Sequence, residues 1–149
     1  MPPYIAVVGP GEATAEEERT AEAVGRSLAE RGAIVVCGGL GGVMAAVCRG
    51  AATAGGVCVG LLPGTGRAEA NQWVTVAIPT GIGELRNGLI VRAADAVIAI
   101  GGGHGTLSEV ALGLKAGRPV IGLGTWKISG VQAVDDAEAA VGRVLELTD

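Results

Sequence analysis

Residues Ala96-Val-Ile-Ala-Ile100 form a short, wholly apolar run that breaks into Gly101-Gly102-Gly103. The chain then passes through His104-Gly-Thr-Leu-Ser-Glu109 into helical spacing. Five apolar residues without alternation predict a strand covered on both faces, which is the habit of parallel strands. A parallel strand needs a crossover to reach its neighbour, so the following segment should be a helix. Few folds accept that unit, and the rest of the chain repeats it.

Ile5–Val8 ends in Gly9-Pro10-Gly11. Thr14 and Glu17 then have capping-box spacing, with Ala21, Val24 and Leu28 on one helical face and Gly32 as the stop. Ile34–Cys37 enters Gly38-Gly39-Leu40-Gly41-Gly42 and a helix striped by Met44, Val47, Cys48 and Ala51. Further strands are expected at Val57–Leu62, Val74–Ile78, Pro119–Leu123 and, weakly, Val131–Val134. Further helices are expected over Glu84–Ala94, up to Lys115, and after a cap at Asp135 with Glu138. The expected fold is α/β: a single doubly wound, mainly parallel, Rossmann-like sheet of six or seven strands with helices on both faces. No linker or repeat divides residues 1–149, so one domain is expected.

The 27 glycines, with no Phe, one Tyr and two Trp, imply layers that approach through backbone rather than large side chains. Net charge is −4 and the basic residues are scattered, without the basic stripe and stacking aromatics of a nucleic-acid groove. No apolar segment approaches the length of a membrane span, and Met-Pro-Pro-Tyr has no basic leader region. The expectation is a cytoplasmic protein that binds neither nucleic acid nor membrane. Cys37, Cys48 and Cys58 are odd in number, lack metal-motif spacing and sit in apolar stretches. They read as small buried hydrophobes, and no metal site is expected.

Ligands of doubly wound sheets bind over the C-terminal strand ends, where chain order reverses. Four glycine-rich turns should meet there: Gly9–Gly11, Gly38–Gly42, Pro79–Gly83 and Gly101–Thr106. Turns without side chains let backbone N–H groups approach an anion, and a helix N-terminus favours its charge. The expected ligand is a phosphate-bearing small molecule. Gly9, Gly11, Gly38, Gly39, Gly102, Gly103, Gly105 and Thr106 are candidates for its cradle. His104 reads as an exposed turn residue or a ligand contact.

Arg86 falls in a helical first turn, where the macrodipole disfavours a cation by ~0.3–1 kcal/mol, so a ligand anion or Glu109 is a better partner than solvent. Glu109 has two readings. Thr106-Leu-Ser-Glu109 fits a capping box, which would tie the carboxylate to backbone. A helix starting a turn earlier, near Gly103, would instead turn Glu109 into the pocket as a catalytic carboxylate paired with Arg86. The chain has no Walker motif and no nucleophile elbow, and its first turn lacks the third glycine of the dinucleotide fingerprint.

Gly38-Gly39, Gly42-Val43-Met44, Leu62-Pro63-Gly64, Arg86 and Gly102–Glu109 together resemble the Lonely Guy (LOG), or lysine-decarboxylase-like, superfamily of SLOG-type Rossmann proteins. The resemblance runs from the first strand to about Thr125. It implies hydrolysis of the N-glycosidic bond of a nucleoside 5′-monophosphate, with Arg86 and Glu109 as catalytic pair and no cofactor required. The family pattern is Pro-Gly-Gly-x-Gly-Thr-x-x-Glu after an Arg-Lys pair. Here Gly101 replaces the proline, Asn87 the lysine and Ser108 a common second glutamate. Val8–Gly11, Gly50–Gly56, Thr80–Gly83 with Arg86-Asn87, and Glu109–Lys115 are more similar to a sister branch, the molybdenum cofactor carrier proteins. That branch implies a carried pterin without turnover. Either resemblance implies a small phosphorylated nucleotide or pterin as partner, and a homodimer or higher homo-oligomer.

Overall fold

The computed structural model describes residues 1–149, and seven strands form one sheet, all neighbours parallel. The strands are β1 (Tyr4–Val8), β2 (Ile34–Cys37), β3 (Cys58–Leu62), β4 (Val76–Pro79), β5 (Ala96–Ile100), β6 (Val120–Leu123) and β7 (Val131–Ala133). The helices are α1 (Ala15–Glu30), α2 (Val43–Thr53), α3 (Asn87–Ala93), α4 (His104–Lys115) and α5 (Ala137–Leu147). Spatial order is β4-β3-β2-β1-β5-β6-β7, so the chain reverses direction between β1 and β5. The doubly wound, Rossmann-like expectation holds.

Alternation along β1 shows how the two faces are covered. Ile5 and Val7 join a core with α1, α2 and α5, while Ala6 and Val8 join a second core with α3 and α4. Every residue of β5 is buried, which is why its sequence shows no polar alternation. The α3–α4 face stops short of β4, leaving Val76 and Ile78 exposed at the sheet edge.

Local chemistry sets the boundaries. Thr14 and Glu17 make the expected reciprocal capping box at the start of α1. At α5 the cap is Asp136 rather than Asp135, its carboxylate accepting from the Ala139 N–H at 2.8 Å. The expected helix over Glu84–Ala94 is interrupted: Gly83–Arg86 form a 3-10 turn, and α3 proper begins at Asn87.

Backbone approach is tightest between α1 and α2. A Cβ on Gly25 would overlap the Val47 carbonyl, and one on Gly50 would overlap the Glu22 carbonyl. Neither neighbour is a flexible side-chain tip, so the helices would have to separate. Gly50→Ala should therefore lower stability by about 2 kcal/mol despite Ala's better helix propensity. Urea unfolding measures this, and an unchanged midpoint would show that the helices separate at no cost.

Candidate functional site

A 260 Å³ cleft opens at the C-terminal ends of β1, β2 and β5, beside the reversal of strand order. Its walls include Gly9, Pro10 and Gly11 after β1, Gly38 after β2, and Gly103, Gly105, Thr106 and Glu109 around the start of α4. Arg86, Asn87 and Met44 complete it. Of the four turns expected to converge, three supply wall residues. The Pro79–Gly83 turn does not, contributing instead through the Arg86-Asn87 step that follows it. Gly39, Gly102 and His104 also lie outside the walls. Gly39 (φ +76°) faces Leu62, Gly102 faces the Trp126 indole, and exposed His104 stacks on Trp126 with ring centroids 6.4 Å apart.

Two glycines bring the walls together by lacking a Cβ. On Gly9 it would meet the Ile100 carbonyl at 2.7 Å, so β1 and β5 could not close at the reversal. On Gly38 it would meet the Met44 sulfur at 2.6 Å and the Arg86 guanidinium at 2.8 Å. Gly38 is thus the opening through which Arg86 reaches the cleft.

Arg86 is buried and held entirely by neutral acceptors. Its Nε donates to the Leu61 carbonyl at 2.9 Å, its guanidinium to Asn87 Oδ1 in a short hydrogen bond, and its Nη2 to the Gly38 carbonyl at 3.4 Å. No carboxylate forms an ion pair with it: the three ion pairs of the chain lie elsewhere. The direct Arg86–Glu109 contact considered from sequence is absent. A buried cation without an anionic contact is costly, and an anionic ligand in the cleft would offset that cost.

Helix α4 starts at His104 with Gly103 as its cap, a turn earlier than a capping box at Thr106 requires. Glu109 consequently lies in the second turn, and its carboxyl makes no hydrogen bond within the chain; the capping reading is overturned. The carboxyl is buried against the cleft, and this desolvation pushes it up to about 8, with the Arg86 charge opposing the shift. At neutral pH it is mostly a protonated acid. Thr106 is also buried, and its hydroxyl oxygen has no hydrogen-bond partner. An orphaned hydroxyl on the cleft wall is the kind of group a ligand oxygen satisfies.

In the sequence Asn87 and Ser108 stand out as departures from the hydrolase pattern, Asn87 also as a likeness to the carrier branch, and in the structure they touch. Asn87 Nδ2 donates to Ser108 Oγ at 3.1 Å, and Ser108 donates to the Gly105 carbonyl at 2.7 Å. A neutral chain of contacts therefore runs from Arg86 through Asn87 and Ser108 to the glycine turn. Trp126 was missed outright. Its indole N–H donates to the Gly103 carbonyl at 3.1 Å and braces that turn from the β6–β7 loop.

Fold and cleft place the chain among Rossmann-like proteins with a glycine-lined cleft at the switch point. More narrowly, it belongs to the SLOG cluster4 family, whose model matches residues 2–148. An uncharacterized protein of Archaeoglobus fulgidus is 41% identical over 138 residues, 92% of this chain and 91% of that protein. The molybdenum cofactor binding protein of Rippkaea orientalis superposes with a TM-score of 0.95 at 34% identity, covering 100% of this chain and 99% of that one. The molybdenum cofactor carrier protein of Chlamydomonas reinhardtii superposes at 0.89 with 33% identity, covering 99% and 98%. These matches bear out the resemblance seen in the sequence. No helix is long and apolar enough to cross a membrane.

Proposed function

We propose that this protein binds molybdenum cofactor, or a closely related phosphorylated pterin, and carries it unchanged. The observation that carries the reading is Arg86: a buried guanidinium, bonded only to neutral acceptors, beside a glycine turn and an unpartnered Thr106 hydroxyl. The phosphate would rest on the N–H groups at the start of α4, with Thr106 donating its hydroxyl and Arg86 supplying the counter-charge. Protonated Glu109 would donate a hydrogen bond to the ligand rather than face it with a second negative charge.

Turnover is less well supported than carriage. Breaking an N-glycosidic bond develops positive character on the ribose, which an ionised carboxylate stabilises. Glu109 is mostly neutral at pH 7. The positions where the hydrolase pattern has a lysine and a second glutamate hold the neutral Asn87–Ser108 hydrogen bond instead. The relatives of nearly equal length named above as cofactor-binding and carrier proteins favour the same reading.

The test is to produce the protein in a host that makes the cofactor and oxidise whatever co-purifies. The expected result is fluorescent pterin at about one per chain. In parallel, a panel of nucleoside 5′-monophosphates is incubated with the protein and followed for free base. Base release without any bound pterin would overturn the carrier in favour of the hydrolase.

A further inference from the structure

All three cysteines of the chain come together, although each belongs to a different element: Cys37 ends β2, Cys48 lies in α2 and Cys58 opens β3. Cys37 Sγ is 3.4 Å from Cys48 Sγ and 3.7 Å from Cys58 Sγ, and all three sulfurs lie within 4.8 Å of one another. Cys48 and Cys58 are joined as a disulfide, and Cys37 is free. All three are buried, as the sequence reading of small buried hydrophobes expects, and they lie in one cluster that the reading did not foresee.

We propose that, once the Cys48–Cys58 disulfide is reduced, Cys37, Cys48 and Cys58 form a three-sulfur site for one copper(I) ion, separate from the ligand cleft. Three thiolates around a metal at ~2.3 Å have sulfur–sulfur edges of ~4.0 Å, so the Cys37 edges of 3.4 and 3.7 Å must lengthen by tenths of an ångström, and Cys48 and Cys58 must draw apart from bonding distance once their disulfide is reduced. No histidine or carboxylate belongs to the cluster, and the sole histidine, His104, is exposed at the start of α4. Zinc favours a closed set of four ligands, whereas soft sulfur donors select copper(I). Packing alone accounts for buried cysteines one at a time. The disulfide joins Cys48 to Cys58, and Cys37 meets both from positions 11 and 21 residues away.

The chemistry balances with a phosphine reductant. It gives two electrons to the disulfide and keeps the oxygen of one water as phosphine oxide, while that water's two protons make Cys48 and Cys58 thiols. Copper(I) then displaces thiol protons to solvent as its bonds to sulfur form. Burial pushes the Cys37 thiol up to about 12, so the metal must take the place of that proton. The Gly39 N–H, 3.4 Å from Cys37 Sγ, offsets negative charge on the bound sulfur, while the charges of Glu109 and Arg86 act on it in opposite senses.

The full chain, reduced with a phosphine under argon and desalted, is titrated with copper(I) held by bicinchoninate. The expected result is one copper per folded chain, with new near-ultraviolet thiolate-to-copper absorption. The disulfide-bearing protein should take none. Cys37→Ser should weaken uptake by more than about 100-fold, beyond what loss of an outer-shell partner does. No uptake by folded, reduced protein would overturn the proposal, as would equal uptake by the oxidised form. Uptake unaffected by Cys37→Ser would also overturn it. If that variant fails to fold, the comparison of reduced with oxidised wild type decides alone. Because the cleft holds none of these sulfurs, either outcome leaves the carrier proposal standing.

Discussion

Replacing Gly103 by valine should leave the fold intact and reduce affinity for the phosphorylated pterin at least about 100-fold, equivalent to ~2.7 kcal/mol. Gly103 is the cap residue of α4 with φ −145° and ψ 177°, an extended conformation that a β-branched residue adopts without strain. A Cβ built there meets nothing within 4 Å, so no neighbour must yield. The new methyl groups would instead occupy space at the cleft wall and hold a phosphate away from the helix N-terminus. Gly103→Ala, with one methyl, should fall between wild type and valine. Binding is read by pterin fluorescence and folding by circular dichroism. If folded Gly103→Val keeps an affinity within about threefold of wild type, the phosphate does not lie against this turn.

The contrast between Gly103 and its neighbour Gly102 shows what a sequence can reveal about such a site. Both belong to the same glycine run, and both were expected in the cradle. Gly103 lies on the cleft wall, whereas Gly102 backs onto Trp126. Nothing local distinguishes them, because the difference is made by a residue 24 positions beyond Gly102, in the β6–β7 loop. Strands were more legible. The β5 limits match its apolar run because full burial on both faces leaves no polar residue to blur them. The Thr14–Glu17 box was legible because its hydrogen bonds span only three residues. The cysteine cluster was not, since no pair of the three has metal-motif spacing. Pairing of β2 with β3 and packing of α2 in the same core make the sulfurs neighbours.

Glu109 could be found but its state could not, because burial by distant segments sets its proton affinity. That state gives the second large effect, a stability that falls as pH rises. The folded carboxyl is pushed up to about 8 from an ordinary value of 4.5. Between those values the unfolded chain has released its proton and the folded chain still holds it, so raising pH favours unfolding. This contribution is fully present below about 4.5 and is lost as pH climbs through about 8, a change on the order of 5 kcal/mol. Glu109→Gln removes the titration while keeping the shape of the neutral acid. Urea unfolding from pH 5 to 9 should therefore show the variant gaining on wild type progressively, with the gap levelling off above pH 8. Curves that stay parallel would mean that Glu109 titrates normally and is solvated. Ligand binding should follow the same proton. Wild type should release an anionic pterin more readily above pH 8, once Glu109 carries charge, and Glu109→Gln should not. A hydrolase would behave differently, since glutamine would abolish turnover while leaving binding in place. A variant that binds as tightly as wild type at pH 7, and more tightly at pH 9, is what a carrier built around a neutral acid requires.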